Sequence, residues 1–443
     1  MDDAKRPVLA MAHRVDLYEE HLEEASFLYE QRLGLLHDET VSWRDLHDFE
    51  ERFEAHVDGL VGGGEVALAA CRLRAVEGDF GERHAAMRVF CRTQQKDDAL
   101  RGFGLGDPED PAELPAISNA WKHDCPEAWI SELGHEDPMR AFVLAEVAGF
   151  RRIVSAVPSL LSLLRHADLR VLAKAAWALG RIRLPEAKPL MRLIDHEDAS
   201  VRSAVAVALL RSGDRNSLAH WRERAATDDA AFLPIALGGI AEDVERVRVL
   251  AADAELRPAG LRALGILGDP GSVPALLAAL DDDDEEAAEA AGAALQLITG
   301  AGLRETVQVP EEVDDEELFD EELEARERGK GPLPPEYSTE VERPSRDAAA
   351  WGRWWDANAS RFQNGQRYRH GAPCSAGRVL DGLLDGTAPP WVRACGADEL
   401  VVRYGLDEPF EVDQLVVEQR TRLGQLSAAA SEMRDQAPGA WTP

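Results

Sequence analysis

Asp168-Leu-Arg-Val-Leu-Ala-Lys-Ala-Ala-Trp-Ala-Leu-Gly180 is the stretch on which the fold turns. An acid that can cap a helix opens it, small and branched apolar residues recur at helical spacing, and a glycine follows. Pro185 and Pro189 come next, then Leu190-Met191-Arg192-Leu193-Ile194. The pattern starts again at Asp198 (Asp-Ala-Ser-Val-Arg-Ser-Ala-Val-Ala-Val-Ala-Leu-Leu) and near Leu256, where Gly265, Gly268 and Pro274 reappear. Aligned on one position of the first helix, the anchors are Ala141, Leu172, Arg202, Ala230, Arg257 and Ala288, spaced 31, 30, 28, 27 and 31 residues apart. Such a period means paired helices. One pair cannot bury its apolar face alone, so neighbours must stack. Each unit is expected to use the Asp as N-cap, the Gly after the first helix as a left-handed stop, and Pro189 or Pro274 in the first turn of the second helix.

Outward from the repeats, residues 20–36, 43–60, 65–77 and 82–92 also read as helices, with Leu46, Phe49, Phe53, Val57 and Leu60 on one face of the second. Ser42 is expected to cap that helix, and Gly62-Gly63-Gly64 to break it. Residues 102–115 read as a turn-rich connection. The expected organisation is all-α: a helical domain over 1–119, a solenoid over 120–300, an acidic then Gly/Pro-rich linker over 301–340, and a Trp-rich helical region over 341–443.

The formal charge is −33, from 82 acidic and 49 basic residues. About half of that excess lies in residues 281–328, with 19 acids against 3 bases. This balance disfavours nucleic acid and anionic membranes as partners and suits a basic protein surface. The five cysteines, Cys71, Cys91, Cys125, Cys374 and Cys395, are sparse and odd in number, as in reduced cytoplasmic chains. No apolar run has the length of a membrane span and no signal peptide is visible, so a cytoplasmic location is expected.

Chemistry is hard to find. His135-Glu136 and His196-Glu197 have the composition of di-iron ligand pairs, but both precede a helix, and His166 is followed by Ala167. Polar turn residues explain them better. His123-Asp124-Cys125 lacks a second ligand pair at metal spacing and reads as a helix-start turn. Arg165, Arg170, Arg181, Arg183, Arg192, Arg202 and Arg211 could line a nucleic-acid groove, yet pairing with the abundant acids accounts for them more simply. No catalytic, cofactor-binding or metal-binding residue is assigned, and no enzyme activity is expected. Trp351, Trp354 and Trp355, with Arg367, Tyr368 and Arg369, are the candidate partner-binding residues. The competing reading makes the tryptophans a core plug that docks the C-terminal region.

The repeat unit resembles the HEAT-like repeat named for the phycobilisome lyases. The order of parts resembles a bacterial family of HEAT-like-repeat proteins without an assigned activity. The matching pieces are residues 21–28 (His-Leu-Glu-Glu-Ala-Ser-Phe-Leu), residues 45–60, Trp351-Gly352-Arg353-Trp354-Trp355, and Arg367-Tyr368-Arg369-His370-Gly371. Members of that family are found near type VI secretion effector genes. The resemblance implies a non-catalytic scaffold or adaptor whose client is a secretion effector or tip protein. Its alternatives are an immunity protein masking a toxin, or a HEAT-repeat enzyme of the bilin-lyase, di-iron hydroxylase or nucleic-acid-modifying kind. If the acidic stretch attracts a basic client, deleting residues 311–328 slows association and flattens its dependence on salt in stopped-flow measurements.

Overall fold

A computed structural model describes residues 5–38, 41–105, 110–134, 136–310, 338–433 and 437–441. The acidic run at 311–324, His135 and part of the 102–115 connection lie outside the described residues. Two compact units emerge: Met1–Gly239 with Val379–Asp435, and Ile240–Arg378 with the segment from Gln436 to Thr442. The division falls between the repeat anchors Ala230 and Arg257, and Val379–Asp435 shares a unit with the N-terminal helices.

The first unit opens with α1 (Lys5–His37), α2 (Leu46–Gly62), α3 (Gly64–Glu77), α4 (Phe80–Arg92), α5 (Lys96–Arg101), α6 (Glu113–Asp124) and α7 (Glu127–Ile130). Asp45, not Ser42, stands at the start of α2, and the Ser42 hydroxyl instead accepts the Arg44 amide at 3.3 Å. The repeats follow: α8 (Pro138–Phe150), α9 (Val157–Leu163), α10 (Leu169–Ile182), α11 (Lys188–Met191), α12 (Ala199–Arg211), α13 (Ser217–Arg224) and α14 (Phe232–Gly238). The long helices stack in sequence, α8 on α10, α10 on α12 and α12 on α14.

The second unit carries α15 (Ala241–Leu250), α16 (Arg257–Leu267), α17 (Val273–Ala279) and α18 (Glu285–Thr299), with α16 stacked on α18. A ribbon follows where a linker is expected: β1 (Arg304–Pro310) pairs antiparallel with β2 (Ser338–Pro344), Val307 opposite Val341. Then come α19 (Ala348–Asn358) and the short hairpin β3 (Tyr368–Arg369) and β4 (Ala372–Pro373). The chain passes back to the first unit through α20 (Ala376–Leu384), and α21 (Pro390–Tyr404) and α22 (Val416–Glu432) complete it. Among the described residues the fold is all-α apart from these two small antiparallel pairings.

The capping expectation holds for α8, α10, α12 and α18 but not for α16, where Leu256 stands at the cap position with no side-chain hydrogen bond. The carboxylates of Asp137, Asp168, Asp198 and Asp284 accept helix amides from Arg140, Arg170, Val201 and Glu286 at 2.8, 2.9, 3.1 and 3.0 Å. Two residues before the cap, His166 and His196 accept the amides of Asp168 and Asp198 through Nδ1, at 3.0 and 3.1 Å. The histidines of the inter-repeat turns therefore close those turns. Pro189 and Pro274 occupy first turns as expected.

The expected role of Gly180 needs correction. It lies inside α10, and the left-handed residue is Arg183, with φ 57°. A Cβ at Gly180 would stand 2.6 Å from Ala208 Cα of the next long helix, and one at Gly265 2.7 Å from Ala294 Cα. The Ala-Leu-Gly motif thus sets how closely successive helices approach. True left-handed stops are Gly268 and Gly300, with φ 75° and 58°.

Alanine is favoured over glycine by about 1 kcal/mol inside a helix, but backbone cannot yield to the new methyl as a flexible side chain could. Overpacking costs about 1–3 kcal/mol. Gly180→Ala should therefore lower stability in urea denaturation, whereas propensity alone would raise it.

Candidate functional site

The arginines that could have formed a nucleic-acid stripe are mostly paired. Arg170 reaches Asp168 at 2.7 Å, and Arg202 reaches Asp228 at 2.6 Å. Arg181 and Arg211 both donate to Asp398 Oδ1 at 2.6 Å. Arg181 also meets Glu411 at 2.7 Å, Arg211 meets Asp407 at 3.3 Å, and Arg183 lies 3.7 Å from Asp407. Arg152, like Arg183 a left-handed residue after a repeat helix, bonds Asp407 at 2.9 Å and the Glu408 carbonyl at 2.7 Å. Lys122 is paired with Asp413. A cationic edge at the C-terminal ends of α8, α10 and α12 is thus met by the chain's own acids between Asp398 and Asp413. Arg165 and Arg192 are exposed.

Electrostatics follow burial and pairing. Burial alone would push the Asp398 carboxyl up, but Arg181 and Arg211 more than offset it and hold it below the usual carboxylate range. For Asp413, Lys122 likewise outweighs burial. At Glu411 burial wins and the carboxyl is pushed up despite Arg181.

In the second unit the candidate residues separate into two groups. Trp351 is 1% exposed and donates its indole N–H to the Ser345 carbonyl at 2.7 Å. Arg367, Tyr368 and Arg369 are also buried. The Arg367 guanidinium donates to the carbonyls of Leu267 and Ile266 at 2.9 and 3.0 Å, and Arg369 to Ile266 at 3.0 Å. The amides of Tyr368, His370 and Gly371 bond Gly268, Leu297 and Ile298 at 2.7, 2.7 and 3.0 Å. Residues 367–371 therefore cap the C-terminal ends of α16 and α18, where carbonyls lack intrahelical partners. A side chain used inside the unit offers no surface to a partner. Trp354 and Trp355 are half-buried and pack around Phe362, with ring centroids 6.3 and 5.1 Å away. Of the six candidates, these two keep accessible indole.

His123 and Asp124 close α6, so they mark a helix end and not the start expected from sequence. Asp124 pairs with Arg88 and, at 2.9 Å, with Arg92. Cys125 is buried at the helix terminus. Among the described residues no group of three or more His, Cys, Asp or Glu side chains is placed to hold a metal. No helix among them is long and apolar enough to cross a membrane.

Residues 126–192 and 157–238 match a family model for HEAT repeats, and residues 257–282 match the PBS lyase HEAT-like repeat. The repeats are of the HEAT-like type. The matched stretches take in α7 to α14 of the first unit and α16 and α17 of the second, and leave out α1 to α6, α18, the Trp-bearing α19 and the acids from Asp398 to Asp413. Comparison with curated proteins finds no match.

Sequence reading missed Asp398, Asp407, Glu411 and Asp413, which lie between 187 and 291 residues from their partners along the chain. The only local signal is the recurrence of arginine at helix ends, at 152 and 183 and at 181 and 211.

Removing one partner from a buried ionic cluster costs about 3–5 kcal/mol. Asp398→Ala should lose that much in chemical denaturation, by removing the acceptor that Arg181 and Arg211 share and leaving each with a single carboxylate. A second outcome concerns pH. Burial, aided by Arg88, pushes the His84 and His123 imidazoles well below their ordinary value. They stay neutral when folded and take up protons when unfolded, so stability falls as pH drops below about 6.5. Two protons give a slope approaching about 2.7 kcal/mol per pH unit, which His123→Gln should halve in urea titrations between pH 7.5 and 5.

Proposed function

We propose that this protein is a non-catalytic scaffold that presents Trp354 and Trp355 to a protein client. HEAT-like repeats commonly serve as protein-interaction scaffolds. The observation that carries the reading is the division of labour within α19. Trp351 is buried and hydrogen-bonded, while Trp354 and Trp355 on the same helix stay half-exposed against Phe362. Indoles held in this way lose little conformational freedom on binding, and Trp is enriched among residues that dominate interface energies.

The client follows from charge and from the resemblance of residues 351–355 and 367–371. A net charge of −33 favours a basic partner surface. The resembling family places the client among type VI secretion effectors or tip proteins, with the chain as adaptor. Co-expression with neighbouring effector and tip proteins should give a complex that survives affinity capture. Trp354→Ala with Trp355→Ala should weaken it about tenfold or more while the melting temperature moves little. Undiminished capture by the double variant would remove the indoles from the interface. Protection of cells from a co-expressed effector's toxicity would assign the chain an immunity role in place of the adaptor one.

A further inference from the structure

The first unit contains a cavity of about 340 Å³ lined by α1, α6, α8 and α21 together with Trp43. Three features of its wall are independent of one another. Leu33, Leu36, Trp43 and Phe142 make it apolar, and Leu33 and Leu36 are only half-buried although they face into the unit. Tyr29 stands four residues before Leu33, on the same face of α1. At 1.5 Å per residue the face from Tyr29 to Leu36 runs about 10 Å.

The second feature is a pair of hydroxyls. Tyr29 is 2% and Ser118 3% exposed, and neither hydroxyl has a hydrogen-bond partner among the described residues. Leaving such a group unsatisfied costs about 1–3 kcal/mol. Burial pushes the Tyr29 phenol up, so it stays protonated and able to donate.

The third feature is Arg393, which is 2% exposed. Its Nε donates to the Leu383 carbonyl at 3.0 Å and its Nη2 to Gln419 Oε1 at 2.6 Å. The guanidinium lies 4.4 Å from the Trp43 ring centre and 5.5 Å from that of Phe410. All these partners are neutral. Among the described residues no carboxylate pairs with it, whereas the other cations at this wall are matched: Lys122 by Asp413 and Glu146, Lys174 by Glu146. The wall also carries Asp38, which is half-buried and has a partner of its own, so the buried guanidinium is left without a carboxylate, and buried charges are ordinarily paired.

We propose that this cavity binds a small amphipathic monocarboxylate about 10 Å long, its carboxylate on Arg393 and its body along Leu33, Leu36 and Phe142. A second polar group on the ligand would meet the Tyr29 and Ser118 hydroxyls. The leftover guanidinium selects an anion, the apolar wall selects against a hydrophilic one, and the volume admits a small molecule. This inference is independent of the client proposed above.

Isothermal titration of the full chain with octanoate and 2-naphthoate, alongside octanamide and 2-naphthamide, tests it. At least one acid should bind at a single saturable site with a dissociation constant below about 1 mM, and its amide about tenfold or more weakly. Leu33→Trp, which fills the apolar end, should abolish binding. Arg393→Gln should weaken it by about tenfold. The acid–amide comparison uses the unmodified protein, so it decides the matter even if the Arg393 variant does not fold. Three results would each overturn the proposal: no saturable binding by either acid, equal binding of acid and amide, or full binding by the Leu33→Trp protein.

Discussion

The carbonyls at the ends of stacked helices govern how this chain is arranged. Every α-helix leaves its last carbonyls without intrahelical partners, and inside a protein they must find donors. Within the first unit, Arg151 donates to the Lys122 carbonyl at the end of α6, and Arg403 reaches the carbonyls of Ala236 and Gly239 at the end of α14. Within the second unit, residues 367–371 do the same for α16 and α18. Arginine suits the task because its planar fork reaches two carbonyls at once and its charge complements the helix dipole. The stops at Gly268 and Gly300 let that strand close in. A Cβ on Gly268 would lie 2.4 Å from the Tyr368 carbonyl oxygen, and one on Gly300 2.6 Å from His370 C.

Burying so many arginines creates a second requirement. Desolvating a cation costs several kcal/mol, and the attraction of a paired carboxylate only roughly repays it. The cluster of Arg181, Arg211, Asp398 and Glu411 is therefore better understood as a register device than as a source of net stability. Asp398 can meet both guanidiniums only if α21 lies at one position along the repeat stack. A shift of one helical turn would strand two cations and two acids together. The apolar contacts of Val402 with Leu210, Leu218 and Leu237 supply attraction at the same place without specifying the turn.

Sequence made the repeats legible because period, cap and small-residue spacing are local properties. Asp168, Asp198 and Pro274 act as their positions imply. Gly180 misleads because a glycine three residues from a helix end looks like a stop, while its actual constraint comes from Ala208 in the following repeat. The pairing of β1 with β2 is hidden by the 27 residues between them, residues 311–337, whose acidic and Pro-rich composition dominates the reading. The candidate site was half legible. The aromatic cluster stood out, but whether an indole or guanidinium faces solvent depends on partners such as the Ser345 and Ile266 carbonyls, and backbone acceptors leave no mark in sequence.

The same capping logic bears on where a client can bind. A free solenoid edge lined with arginine would attract acidic partners, yet in the first unit that edge is neutralised from Asp398 to Asp413 by the chain itself. What is left for recognition is strongly acidic overall and, in α19, aromatic. These two properties do different work. Long-range charge raises the rate of encounter with a basic surface but discriminates poorly among basic surfaces. Two indoles packed on Phe362 offer shape, which controls how long a complex lasts. A scaffold reading that joins the two assigns attraction to the charge and selection to Trp354 and Trp355.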